Sequence, residues 1–540
     1  MRLLMFIAVC FLTNPGASQQ VAQKKAAPRL IVGLVVDQMR WDYLTRYESR
    51  YSNGGFKRII REGFSFDNTL IPYTPTYTAA GHASIYTGTV PAMNGIIGNT
   101  WYSRELGRVV YCTDDSTVTG VGSNSDAGKM SPRNMWSTSV ADQVRLATNF
   151  RSKVIGIALK DRGAILPAGH SANAAYWFDN ASGGWITSTY YTPELPDWMK
   201  RFNDKKMPDR YMSADWNTLL PIESYAQSSA DDKLYEGSLN GEDQQFPHSL
   251  SKLTKNKYDV FRYTPFANTY TFEAGKAAIE GESLGKDEFT DVLALSFSST
   301  DYIGHTFGPN SIEMEDTYLR LDRDLDEFLR YLDAKVGKGQ YMLFVSADHG
   351  AAHVPGFLNE NRIPGGYIGE REIRDRLNAG LQKELNVQNA ILDITNYQIY
   401  LNYQVVNAEN VDRIERVVVK ELLKLPQVSQ AFSLRDIASV PLPLKVRERV
   451  RNGFNQKLSG DIQFVLMPGF FNGGSKGTTH GAWNSYDAHI PLLWYGWQIP
   501  HGRSSKEVYM SDIAPTIAAL LGIEFTSASV GDPLFGSASR

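Results

Sequence analysis

A chain of 540 residues, 42% apolar and 21% charged, has the composition of a soluble globular protein with room for a large core. A formal net charge of -3 excludes bulk electrostatic attraction to nucleic acid, so an anionic ligand must be drawn in by metals or placed cations. No stretch is long and apolar enough to be a membrane-spanning helix.

The chain opens on what reads as a secretory leader. Arg2 supplies a minimal positive region, Leu3–Leu12 an apolar core too short to span a bilayer, and Gly16, Ala17 and Ser18 small residues for cleavage. Residues 1–18 are therefore expected to be a signal peptide, and the mature protein to be periplasmic or secreted. Cys10 leaves with that leader and Cys112 remains alone, so the mature chain has no intrachain disulfide.

Leu30–Val36 is a continuous apolar, β-rich run of the kind that forms a strand buried on both faces. Asp37 follows it, where an aspartate commonly caps a helix. Pro75–His82 carries hydroxyl and small residues at a helix start. Thr74, Thr76 and Thr78 are each placed to cap a helix or to act as a nucleophile, and spacing does not choose among them. His82 beside them reads as a packed residue. Asn99 follows Gly98 in a turn, where its amide either makes a local bond or donates to a phosphoryl or carbonyl oxygen.

Val154–Leu159 is a second strand, followed by Lys160 and Arg162. In extended backbone, residues two apart point the same way, so these two cations are expected to face one spot. Residues about 175–285, rich in Tyr, Trp, Asn and Asp, read as an insertion. A third strand at Asp291–Ser298 leads to Asp301 and His305. The helical pattern Ile312–Val336 has Met314, Tyr318, Leu321, Leu325, Phe328, Leu329 and Leu332 spaced at three and four. A fourth strand at Tyr341–Ala347 leads to Asp348 and His349. Strand, helix, strand in that order is a parallel crossover.

Residues about 355–475 form a second insertion with a pattern of its own: a strand at Tyr397–Asn402, a helix at Val411–Leu425 and a strand at Val428–Phe432. His480 lies in a loop of Gly and Thr before a fifth strand, Ile490–Tyr495. The expected class is α/β, with a central, mostly parallel sheet flanked by helices. In such sheets ligands gather beyond the carboxyl ends of the strands, where Asp37, Lys160, Asp301 and Asp348 all fall. Carboxylates and imidazoles converging there suit zinc. Of nine histidines, His170, His248, His353, His489 and His501 have no comparable setting and read as structural.

Taken in order, Asp37-Gln-Met-Arg-Trp-Asp, Thr78-Ala-Ala-Gly-His, Gly-Asn99, Lys160-Asp-Arg162, Asp301-Tyr-Ile-Gly-His305, Asp348-His349-Gly and Thr-Thr-His480-Gly resemble the motifs of the alkaline phosphatase superfamily. Within it the set is similar to the branch of nucleotide pyrophosphatase/phosphodiesterases, and most to phosphate-irrepressible alkaline phosphatases of the PafA type. The likeness runs from about residue 28 to the end. It implies an alkaline-phosphatase-like catalytic domain over residues 19–540, with the two insertions as a cap, and two zinc ions per chain. Asp301, His305 and His480 then resemble the ligands of one ion, and Asp37, Asp348 and His349, with Thr78, those of the other. The resemblance also selects Thr78 as nucleophile, with Asn99, Lys160 and Arg162 binding phosphoryl oxygens and the two cations standing in for a third metal.

Three aspartates against two zinc ions leave the site near about +1, and Lys160 with Arg162 raise it to about +3, which suits a phosphate monoester dianion. The expected activity is phosphate-monoester hydrolysis through a phosphothreonine, releasing inorganic phosphate. The rival within enzymes is a phosphodiesterase or nucleotide pyrophosphatase on the same core; the rival outside them is an exported metal-dependent binding protein. No interface signature stands out, and a monomer is expected.

Overall fold

A computed structural model describes residues 27–241, 243–253 and 256–535. The leader expected at residues 1–18 lies outside the described residues. The chain is built on a ten-stranded sheet. Its strands, in chain order, are β1 (Leu30–Val36), β2 (Phe64–Leu70), β3 (Gly120–Val121), β4 (Val154–Ala158), β5 (Ala174–Asp179), β6 (Gly184–Ser188), β7 (Asp291–Phe297), β8 (Tyr341–Ser346), β9 (His489–Gly496) and β10 (Gly502–Tyr509). Across the sheet they run β10-β2-β9-β8-β1-β7-β4-β5-β6-β3.

The middle of this sheet is parallel. β1 lies between β8 and β7, β4 joins β7, and β5 joins β4, all in parallel register. β9 pairs antiparallel with both β8 and β2, and β6 is antiparallel to β5 and β3. Every residue of β1, β4, β7 and β8 is buried, as unbroken apolar runs covered on both faces require. The large sheet also takes in Ala174–Asp179 and Gly184–Ser188, so the aromatic-rich stretch read as an insertion from about residue 175 starts inside the core.

Helix α1 (Thr78–Thr87) is wholly buried, and α2 (Asp161–Ala168) packs against it. Helix α3 (Ser299–Phe307) starts almost as soon as β7 ends, and α4 (Ile312–Leu332) returns the chain to β8. All seven apolar positions that the periodicity picks out on α4 are buried. The helix ends in a π-type turn, Asp333–Gly337, rather than continuing to Val336 as regular α-helix.

A separate four-stranded antiparallel sheet is formed by Ile391–Thr395, Gln398–Leu401, Ile462–Leu466 and Val428–Ser433, in that order. Helices Glu370–Leu385 and Val411–Leu422 pack together beside it, closing a core that includes Leu377, Ile399, Ile414, Val418 and Phe464. Tyr77, the residue before Thr78, packs against that core. Asn396 from the same unit donates to the Thr100 carbonyl at 2.8 Å. The small unit is thus seated over the segments that carry Thr78 and Asn99.

Candidate active site

Parallel register brings the ends of β1, β4, β7 and β8 side by side, and the residues that follow them meet. Asp37, Thr78, Lys160, Asp301, Asp348, His349 and His480 are all at most 5% exposed. Asp301 and His305 are four apart on α3 and so share one face. His305 Nε2 lies 3.2 Å from Asp301 Oδ1, and His480 Nε2 lies 3.6 Å from the same oxygen. His349 Nε2 is 3.5 Å from Asp37 Oδ1, 3.5 Å from Asp348 Oδ2 and 3.3 Å from Thr78 Oγ1.

The opposite nitrogen of each imidazole is held by backbone. His305 Nδ1 donates to the Thr478 carbonyl at 2.8 Å, His349 Nδ1 to that of Gly350 at 3.0 Å, and His480 Nδ1 to that of Thr76 at 2.7 Å. A proton fixed on Nδ1 leaves Nε2 as the ligand atom, and all three Nε2 atoms face the aspartates. That is the tautomer a metal ligand needs, held by the second-layer contacts that orient such ligands. Against burial Asp301 raises the pKa of His305, so a cation bound there would take the place of a second proton. Asp37 Oδ1 and Asp348 Oδ2 are buried and have no hydrogen-bond partner. Unpaired buried carboxylate oxygens facing imidazole lone pairs are costly unless a cation joins them.

Two groups of potential ligand atoms each fall within 4.8 Å: Asp301 with His305 and His480, and Asp37 with Asp301 and His349. Asp301 therefore stands between the groups. Asp348 is fixed beside them, its Oδ1 accepting from the backbone N–H groups of Gln38 at 3.1 Å and His349 at 3.0 Å. The donor set of hard carboxylates and imidazoles fits zinc.

The charges follow this geometry. Burial raises the Asp37 carboxyl well above its ordinary range, and the nearby Asp348 adds to the shift. Burial also opposes ionisation of Asp301, but His305 and Lys160 hold it well below that range. Asp348 is likewise held low, by His349 and His82 against burial. Burial lowers both His349 and His480. Lys160 Nζ bridges the cluster at 2.5 Å from Asp301 Oδ2, 2.7 Å from Asp37 Oδ2 and 3.5 Å from Thr78 Oγ1. Against burial, those two carboxylates raise its pKa and keep it an ammonium.

Thr78 is the first residue of α1, at the positive end of the helix. Gly81 lets that helix press on the Asp348 loop: a Cβ there would lie 2.5 Å from the Asp348 carbonyl oxygen and 2.6 Å from its Cβ. Asn99 Oδ1 accepts from the Ala79 N–H at 2.9 Å, which turns its amide nitrogen the other way as a donor. Arg162 donates to the Tyr111 hydroxyl at 2.9 Å, and that hydroxyl donates to Asp161 at 2.8 Å.

Lys160 and Arg162 are not two residues of one extended segment. β4 ends at Ala158, Lys160 is the residue before α2, and Arg162 lies in its first turn. Alternation along a strand therefore does not describe how the two cations are aimed. Lys160 points inward to the carboxylates, while Arg162 is aimed by the Tyr111–Asp161 pair.

Residues 31–488 match the family described as type I phosphodiesterase / nucleotide pyrophosphatase. The chain belongs to that family. A protein of Myroides odoratus named calcium-transporting ATPase is 51% identical, with 95% of each chain covered. Alkaline phosphatase PafA of Elizabethkingia meningoseptica is 50% identical, also with 95% of each covered. A crystal structure of PafA matches with a TM-score of 0.92 at 50% identity, covering 94% of this chain and 98% of that one. A solved variant of PafA replaces a threonine by serine and an asparagine, a lysine and an arginine by alanine.

Of the other histidines among the described residues only His82 touches the cluster, its Nδ1 lying 3.3 Å from Asp348 Oδ2. His82 bonds the Thr78 carbonyl at 2.9 Å and Ser296 at 2.8 Å. His353 sits between Arg40 and Asn310, and burial with Arg40 pushes it down to about 3. His248 lies between Asp243 and Glu313, His170 bonds the Met135 carbonyl, and His489 bonds that of Asp67. Cys112 is buried, and burial pushes its thiol up to about 12, which disfavours the thiolate. Sequence reasoning missed Gln38, which bonds both Asp301 and Asp348. The signal was its place directly after Asp37.

Proposed function

We propose that this chain is an exported, two-zinc alkaline phosphatase that hydrolyses phosphate monoesters through a phosphothreonine at Thr78. One observation carries the reading: three imidazoles with backbone-fixed Nδ1 protons turn their free Nε2 atoms onto buried aspartates beside a helix-terminal threonine hydroxyl. Asp301, His305 and His480 would hold one ion, and Asp37, Asp348 and His349, with Thr78, the other. When bound, the ions supply Lewis-acid charge that lowers the pKa of a hydroxyl and neutralises charge on a departing ester oxygen.

Thr78 Oγ1 releases its proton to solvent and forms a bond to phosphorus in line with the leaving alcohol. The bond to the ester oxygen breaks, and that oxygen takes the electron pair and then a proton. Water attacks the same phosphorus in a second displacement, restoring Thr78 and releasing inorganic phosphate. The Asn99 amide, Lys160 and Arg162 hold the non-bridging oxygens. In a loose phosphoryl-transfer transition state the protein's work is placement and electrostatics. The variant of PafA described above changes the same four residue types as Thr78, Asn99, Lys160 and Arg162, which supports these roles.

The family description favours a second reading, a phosphodiesterase on the same core. The paired cations argue for the monoester, whose extra charge they match. The name of the Myroides relative speaks of transport; no helix among the described residues is long and apolar enough to cross a membrane. Export rests on the leader read at residues 1–18.

The test is a paired assay on a phosphate monoester and a diester, with zinc counted in the purified protein. Higher kcat/KM on the monoester and two zinc equivalents are expected. Thr78→Ala should lose at least ~1000-fold in rate, with Thr78→Ser partly active and forming a trappable phosphoserine. Full activity in Thr78→Ala would sink the nucleophile, and zinc binding with no hydrolysis of either ester by wild type would leave a metal-binding protein without turnover.

A further inference from the structure

We infer that Gln38 is a positioning residue that ties the two ligand groups together, and that Gly304 is small in order to seat it. The inference rests on the two-zinc reading and adds a residue to it. Gln38 follows Asp37 with φ 65°, in the left-handed region that favours glycine. Backbone alone would select glycine here, so the retained side chain needs a reason.

The side chain supplies one. Gln38 is 1% exposed, and its Nε2 donates to Asp301 Oδ1 at 2.6 Å. Its backbone N–H donates to Asp348 Oδ1 at 3.1 Å. One residue therefore holds a carboxylate proposed for each ion. Asp301 contributes to both clusters of ligand atoms, so its rotation sets how one group stands to the other. The amide on Oδ1 and Lys160 on Oδ2 fix that rotation from two sides.

Two further local costs have the same explanation. Gln38 Oε1 is buried without a hydrogen-bond partner, an unfavourable state that calls for a cause. Gly304 lies inside α3, where glycine is a poor helix former, yet a Cβ there would come within 1.8 Å of Gln38 Oε1. The spacing of Asp301 and His305 on the helix leaves Gly304 facing the amide. A strained backbone, an unpaired oxygen and a helical glycine all serve one hydrogen bond to Asp301. Bonds of that kind to a metal-ligating carboxylate change metal affinity by ~10–100-fold.

The experiment compares zinc affinity in wild type, Gln38→Gly, Gln38→Gly/Gly304→Ala and Gly304→Ala, by competition with a chromophoric chelator. Melting temperatures are taken on the same proteins stripped of metal. Gln38→Gly relieves the backbone, so the stripped protein should melt at the wild-type temperature or above. One zinc equivalent should bind ~10–100-fold more weakly. Gly304→Ala should weaken the same ion with Gln38 still present, and the double variant should be no worse than Gln38→Gly alone. Wild type binding fewer than two zinc ions would overturn the underlying reading. Wild type binding two while Gln38→Gly stays within twofold of it overturns the role of Gln38 alone. A loss of zinc matched by an equal loss of melting temperature in the stripped protein also overturns it, since the residue would then be structural.

Discussion

Lys160 and Asp301 form a buried ion pair at 2.5 Å, and the same ammonium reaches Asp37 at 2.7 Å. One cation therefore answers two carboxylates at the centre of the site. Zinc would supply that charge instead, so the importance of Lys160 to folding should depend on metal. In chelator-treated protein, Lys160→Ala should lose ~3 kcal/mol, because it leaves buried carboxylates unpaired. In zinc-loaded protein the loss should fall below ~1 kcal/mol. Melting curves with and without chelator measure both, and equal losses would show that Lys160 holds the carboxylates in either state.

On the proposed reading, Lys160 and Arg162 would also discriminate between substrates. If both bind non-bridging oxygens, removing either costs the dianion more than the monoanion. Lys160→Ala and Arg162→Ala should each lower kcat/KM for a monoester by ~100-fold, and for a diester by far less. Tyr111→Phe should give a smaller loss in the same direction, because Arg162 leans on that hydroxyl. Equal losses on the two ester classes would remove the cations from substrate binding.

Much of this site was legible in the chain because its residues follow strands. The apolar runs ending at Val36, Leu159, Ser298 and Ala347 mark four neighbouring strands, so the aspartates and the lysine after them had to converge. What left no periodic trace stayed hidden. Gln38 acts through a single left-handed residue and a bond across the sheet. Arg162 is aimed by Tyr111, far away in sequence and unmarked by any motif. Asp301 belongs to both groups because of how α3 leaves β7, which spacing does not encode. Strands β5 and β6 lay inside a stretch whose Tyr, Trp and Asn content masked their pattern.

Gly81 tests how tightly α1 must sit on the Asp348 loop. Gly81→Ala places a Cβ against backbone, which cannot swing aside as a flexible side chain would. Overpacking of this kind costs ~1–3 kcal/mol, and relief would come from moving Asp348 and His349. A fall in melting temperature with loss of zinc from the ion beside Thr78 is expected. Unchanged zinc content with unchanged turnover would show that the loop has slack.

A separate pH effect should come from the segment around His248. This buried imidazole sits 3.0 Å from Asp243 and 3.2 Å from Glu313. Burial alone would lower it, but the two carboxylates outweigh burial and push it up to about 9. A folded-state pKa above the unfolded one gives stability that is complete below the ordinary value of 6.5 and is lost as pH rises through about 9. Glu236 is pushed up to about 9 by burial, then by Glu313 and Asp231, so it bends the profile the same way over a wider range. Melting temperature should therefore fall steadily between pH 7 and 10. His248→Gln should cost up to ~3 kcal/mol at neutral pH and flatten the slope above it, and Glu236→Gln should flatten it without that neutral-pH loss. A slope unchanged in both variants would place the alkaline sensitivity elsewhere in the protein.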